Sequence, residues 1–153
     1  MAIIYKKGSL FDAPKGSMLV HAVSTKSVWG SGIAKEFKAR FPESYTFYLE
    51  ICAEEGAKML GLVIYCPEEN GYEVSNLVTS LDYGCNKDPK EMILANTRTA
   101  LHFLLEETFN DQPIHSCKFN SGLFGVPWEE TEKVLLEVMA ATCYTKDWTV
   151  WQQ

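Results

Sequence analysis

The chain lacks the simplest metal-binding patterns. Its five cysteines, Cys52, Cys66, Cys85, Cys117 and Cys143, form no C-x-x-C pair. An odd, scattered set of this kind fits reduced thiols in a cytosol-like compartment and gives no structural zinc site. His21, His102 and His115 show neither H-x-H nor H-x-x-x-H spacing, so no metal ligand set is read and no cofactor is expected. No apolar run approaches the roughly 20 residues of a spanning helix, and the first residues carry no signal-peptide core. The expectation is a soluble, cytoplasmic protein, a monomer without a membrane partner. Basic residues are also scarce: 14 Lys and Arg stand against 20 Asp and Glu, a net charge of -6. That balance argues against general nucleic-acid binding, which relies on Lys and Arg clusters. An anionic ligand would have to be held by local backbone dipoles. No repeat, low-complexity tract or linker interrupts the 153 residues, so a single domain over 1–153 is expected.

What is present is an alternation of short apolar runs and helical spacings. Ile3 to Tyr5 and Met18 to Val23 read as strands separated by a Pro14-Lys15-Gly16 turn. Ile33, Phe37 and Phe41 recur every fourth residue, and that helix stops before Pro42. A second helix runs from Pro42 to near Gly56. Leu62 to Cys66 and Tyr72 to Thr79 read as paired strands around Asn70-Gly71, a dipeptide favoured in hairpins. Asp88-Pro89-Lys90-Glu91 predicts a helix start with Asp88 as its cap, and the helix should bury Ile93, Ala100, Leu101, Leu104 and Leu105. His102 belongs on its flank. Ile114 to Phe119 reads as a strand, Pro127 onward as a helix burying Val134, Leu135 and Val138, and Trp148 to Trp151 as a closing strand. Such alternation predicts an α/β layered fold, with helices on both faces of a mixed sheet and ligands beyond the strand carboxyl ends.

Two loops carry the chemistry. Between the second strand and the first helix, Trp29-Gly30-Ser31-Gly32-Ile33 places small residues before a helix N-terminus. Glycines let the backbone approach a phosphate, and the unpaired N–H groups and dipole of the helix face it. A tight turn alone would use the same residues. Asn120-Ser121-Gly122-Leu123-Phe124-Gly125-Val126 repeats the arrangement before the last helix, and two such loops can grip a diphosphate from both sides. Trp29 serves equally as core under its loop or as a ligand contact. Trp128, Trp148 and Trp151 read as structural.

At this point the chain resembles the macrodomains, which bind ADP-ribose. The resemblance rests on Gly8-Ser9-Leu10-Phe11, His21-Ala22-Val23-Ser24, Trp29 to Ala34, Leu77-Val78-Thr79-Ser80 and Asn120 to Leu135, and covers nearly the full length. It is closest to the ADP-ribose-1″-phosphate phosphatase type. The resemblance implies a three-layer α/β/α sandwich with a mixed central sheet. It implies ADP-ribose or a derivative as partner, with ADP-ribosylated macromolecules as further candidates. Trp29, Gly30, Ser31, Gly32 and Ile33, with Ser121, Gly122, Leu123, Phe124, Gly125 and Val126, would hold the phosphates, Phe124 packing on the distal ribose. Ser9 and Leu10 would lie near the adenine. Ser9 stands where the family usually carries aspartate, and Asp12 is either its substitute or a turn residue. Val23, Ser24 and Thr79 complete the substrate-binding set. Ser80 and Phe124 occupy places where relatives that cleave ADP-ribose from carboxylates carry lysine and aspartate, so that mechanism is not expected.

The activity implied is hydrolysis of ADP-ribose 1″-phosphate to ADP-ribose and phosphate. Removal of ADP-ribosyl groups from protein or nucleic acid, and non-catalytic binding of ADP-ribose, are the alternatives. His21, whose ordinary pKa lies nearest neutrality, is the acid or base candidate, with a buried hydrogen-bonding role as its equal alternative. Ser80 is a hydrogen-bond donor candidate, and Asp82 either orients water or caps a turn.

Overall fold

Along Met18–Ser24 the side chains alternate between two hydrophobic clusters: Met18, Val20 and Ala22 join one, Leu19 and Val23 the other. A strand buried on both faces lies at the centre of a layered fold. The computed structural model of the protein describes residues 2–26, 28–107 and 112–153. Ser27, the end of the polar segment after the second strand, lies outside them. Among the described residues six strands form one sheet: β1 (Ile3–Lys7), β2 (Met18–Ser24), β3 (Val63–Tyr65), β4 (Glu73–Ser80), β5 (Ile114–Ser116) and β6 (Trp148–Gln152). Their order is β1-β6-β5-β2-β4-β3, and every neighbouring pair is parallel except β3 with β4.

Among the described residues four helices cover the two faces. α1 (Gly32–Arg40) and α2 (Pro42–Glu55) pack Phe37, Phe41 and Tyr48 over Leu19, Val23, Val74 and Val78, with Leu10 and Phe11 of a short 3-10 turn beside them. α3 (Lys90–Glu107) and α4 (Trp128–Ala141) pack Leu101, Leu104, Leu135 and Val138 over Val20, Leu77 and Val150. Each large apolar side chain so buried contributes roughly 1.5–3 kcal/mol. The result is a three-layer α/β/α sandwich with a mixed central sheet.

The expected inward positions of α3 and α4 are all buried, and His102 lies part-exposed beside Glu106, 3.9 Å away. Phe41, held outside the helical region before Pro42, separates α1 from α2. Asn70 and Gly71 both take positive φ, 54° and 88°, the conformation that a two-residue hairpin turn requires. Three expectations need correction. β3 stops at Tyr65 and β5 at Ser116, short of Cys66 and Phe119. In the latter case Ser121 N–H turns back to the Lys118 carbonyl (3.3 Å), which ends the extended run. Asp88 does not cap α3 with its carboxylate, which instead accepts from Leu81 N–H at 3.0 Å.

Candidate functional site

β2 and β4 run parallel and end together, Ser24 opposite Ser80, so the loops that follow leave the same edge of the sheet. The first is fastened near its base: Thr25 N–H donates to the Ser80 carbonyl (3.1 Å), and the Thr25 hydroxyl to the Leu81 carbonyl (2.7 Å). Tyr45 holds it further on by donating to the Val28 carbonyl at 3.1 Å. Trp29 then takes φ 47°, a conformation uncommon for a bulky residue, and inserts a fully buried ring among His21, Phe37, Tyr45 and Tyr48. Gly32 enters α1 with φ 60°, and a side chain there would meet open space. Ser31 makes no side-chain cap, so the first amides of α1 are left for a ligand.

The second loop is braced through Asn120, whose φ is 68°. Its side-chain oxygen accepts from the Thr79 hydroxyl (3.0 Å) and its amide donates to the Thr97 hydroxyl (2.9 Å), tying the loop to β4 and α3. Val126 N–H returns to the Asn120 carbonyl (2.9 Å), and Gly125 N–H to that of Gly122 (3.0 Å). Between the loops lies a cleft of about 640 Å³. Trp29, Gly30, Ser31, Gly32 and Ile33 line one side, Ser121, Gly122, Leu123 and Phe124 the other, and His21 also contributes. Among the described residues no carboxylate lines it. In a chain of net charge -6, that local exclusion leaves backbone dipoles to set the field.

His21 is fully buried and stacks on Phe37, ring centroids 4.0 Å apart. Its Nε2 lies 2.6 Å from Asn76 Oδ1. The Asn76 amide already donates to the Ile64 carbonyl (3.0 Å) and Cys66 Sγ (3.3 Å), which fixes Oδ1 as acceptor and places the ring proton on Nε2. Nδ1 is therefore a lone-pair acceptor, and no partner meets it among the described residues. Burial lowers the His21 pKa to about 4, against a smaller opposing effect of the Asn76 bond. With that pKa the ring is neutral near pH 7. Desolvation likewise pushes the Cys117 thiol up to about 12, and it does not ionise near neutrality.

Other expected residues stand behind the cleft or beside it. Val23, Ser24, Thr79 and Ser80 are buried, and Gly125 and Val126 shape the second loop without lining the cavity. The Ser80 hydroxyl is committed, donating to the Asp82 carbonyl (2.7 Å) and accepting from Asp88 N–H (3.0 Å). Asp82 is a turn residue: its carboxylate accepts from Tyr83 N–H (2.8 Å) and pairs with Lys26 (3.6 Å). Neither lines the cavity. Ser9 caps the 3-10 turn at Leu10–Asp12 by accepting from Phe11 N–H (3.2 Å), and Leu10 is core. Asp12 sits in that turn. Asn76, Asn120 and Tyr83 were not singled out from the sequence. An asparagine before Ser-Gly, a type that tolerates positive φ, was the available signal for Asn120.

Comparison with known proteins agrees with this geometry. The sequence pattern of the Macro domain matches residues 20–135. A relative from Aspergillus oryzae, named ADP-ribose 1″-phosphate phosphatase, is 32% identical over 86% of this chain and 86% of its own length. One of the same name from Saccharomyces cerevisiae is 32% identical over 94% of this chain and 96% of its own. Among solved structures, the macrodomain of Mycobacterium tuberculosis DarG superposes with a TM-score of 0.75 at 23% identity, covering 99% of this chain and 98% of that one. The chain belongs to the macrodomain family.

Proposed function

We propose that the cleft binds ADP-ribose and that the protein hydrolyses ADP-ribose 1″-phosphate to ADP-ribose and phosphate. The observation that carries this reading is the pair of braced glycine loops across one carboxylate-free cleft, in a chain whose relatives bear that activity in their names. The diphosphate lies between the N-terminus of α1 and the amides of the second loop, where fixed N–H donors meet charge without reorganising.

Hydrolysis adds a water oxygen to phosphorus, breaks the bond from phosphorus to the ribose 1″ oxygen, and returns a proton to that oxygen. Catalysis of such a step is chiefly positioning and charge stabilisation. His21 contributes to the wall of the cleft, its ring held neutral by burial and oriented by Asn76. Incubation with ADP-ribose 1″-phosphate, read as free phosphate over time, tests the reading. Release that disappears in Gly32→Glu is expected; binding of both nucleotides without release would leave a non-catalytic ADP-ribose binder.

A further inference from the structure

The first glycine loop is held from outside the cleft, by two tyrosines of α2. Tyr45 and Tyr48 stand three residues apart and so share one face of the helix. Buried Tyr48 donates to the Ser24 carbonyl, where β2 ends. Part-exposed Tyr45 donates to the Val28 carbonyl (3.1 Å), farther along the loop. Both rings lie against Trp29, their centroids 5.0 Å (Tyr45) and 5.1 Å (Tyr48) from its own. Lys38 of α1 stands over the Tyr45 ring at 4.7 Å, which restrains that ring from swinging away. Among the described residues, the Tyr45 bond is the one hydrogen bond that engages Val28, Trp29 or Gly30.

A lone tether matters here because the loop conformation is costly. Trp29 takes φ 47° and buries its Nε1 without a partner among the described residues. A bulky residue keeps such a backbone only where its surroundings over-determine it. Gly30 and Gly32, which follow directly, line the cleft, whereas Tyr45 does not. If the Val28 carbonyl is released, the backbone around Trp29 can relax, and the loop presents its amides correctly in only a fraction of molecules. Apparent affinity falls by that fraction, with no ligand contact removed.

We infer that Tyr45 is a positioning residue: its hydroxyl, acting from outside the cleft, holds the first glycine loop in the conformation that receives the diphosphate. This rests on the function proposed above.

The test compares wild type with Tyr45→Phe, which removes the hydroxyl and keeps the ring. The Kd for ADP-ribose should rise about threefold to tenfold, the share of one neutral hydrogen bond. ADP, which carries the diphosphate without the distal ribose, should weaken by the same factor. For ADP-ribose 1″-phosphate the KM should rise likewise, with kcat within about twofold, as expected when binding alone is lost. In labelled free Tyr45→Phe the Gly30 and Gly32 amide signals should broaden, and saturation with ADP-ribose should restore their wild-type positions. A lowered thermal midpoint with unchanged Kd would mark a merely structural bond and overturn the inference, as would Gly30 and Gly32 signals identical to wild type. If wild type binds neither nucleotide, the function proposed above falls and this inference with it; if wild type binds both and Tyr45→Phe binds them equally, this inference alone falls.

Discussion

On the α3/α4 face of the sheet, Trp148 Nε1 donates to Ser116 Oγ (2.8 Å) and Trp128 Nε1 to the Tyr5 hydroxyl (2.7 Å), with Phe119 edge-on to Trp128. On the opposite face, beside the cleft, Trp29 Nε1 and His21 Nδ1 are buried without partners among the described residues, and Trp29 holds a left-handed backbone. A buried polar atom left unpaired costs about 1–3 kcal/mol, and a strained backbone adds a similar amount. One aromatic cluster thus satisfies both of its indole N–H groups, although Thr131 Oγ1 and the Tyr144 hydroxyl near it are also buried without partners among the described residues. Its counterpart accepts strain and unsatisfied polar atoms where the ligand loop must be held open. Stability and binding should accordingly respond separately to substitutions on the two faces.

The sharpest way to break that contrast is Gly32→Glu. A carboxylate projecting from the first loop, at a position that already needs φ 60°, should lower ADP-ribose affinity by about a hundredfold or more, while the thermal midpoint falls by only a few degrees. Calorimetric titration beside a melt checks both. Leu135→Ala, fully buried under the other face, should do the reverse: a loss of about 2–5 kcal/mol in denaturant unfolding with unchanged affinity of the folded fraction.

His21 gives the contrast a pH signature. Its folded pKa, about 4, lies below the unfolded value near 6.5, so the unfolded chain takes up the proton first as pH falls. The stability tied to its neutral form is full above about 6.5 and lost progressively toward 4, by roughly 3 kcal/mol. Denaturant unfolding across that range should show the slope in wild type and a shallower one in His21→Gln. Asn120→Ala sits where the faces meet, through Thr79 and Thr97. It should cost about 1–3 kcal/mol and weaken binding about tenfold, since the second loop loses its brace. The smallest effect belongs to Asp82→Ala, which removes a part-exposed ion pair with Lys26 and should change stability by about 1 kcal/mol or less.

Much of the layering was legible because its signals are local. Ile93, Leu101, Leu104 and Leu135 declare themselves by helical spacing, Asn70-Gly71 by turn chemistry, and the glycine loops by their position before helix starts. What escaped depends on partners far along the chain. Asn76, which sets the His21 tautomer, lies 55 residues away and meets it only because β2 and β4 pair in one register. Ser80 and Asp82 read as site residues because they end a strand near the cleft. Closure of their own loop by Asp88 engages the Ser80 hydroxyl, and spacing alone does not reveal that closure. Asp88 itself fits a helix-cap pattern, but Leu81 N–H competes for its carboxylate and wins.

The most direct measurement is an ADP-ribose titration followed by amide chemical shifts in isotopically labelled protein. A single cradle built from both loops predicts that Gly30, Gly32, Gly122 and Gly125 shift together with one dissociation constant, while α3 and α4 amides away from the loops stay in place. Shifts confined to one loop, or centred on the α3/α4 face, would contradict it.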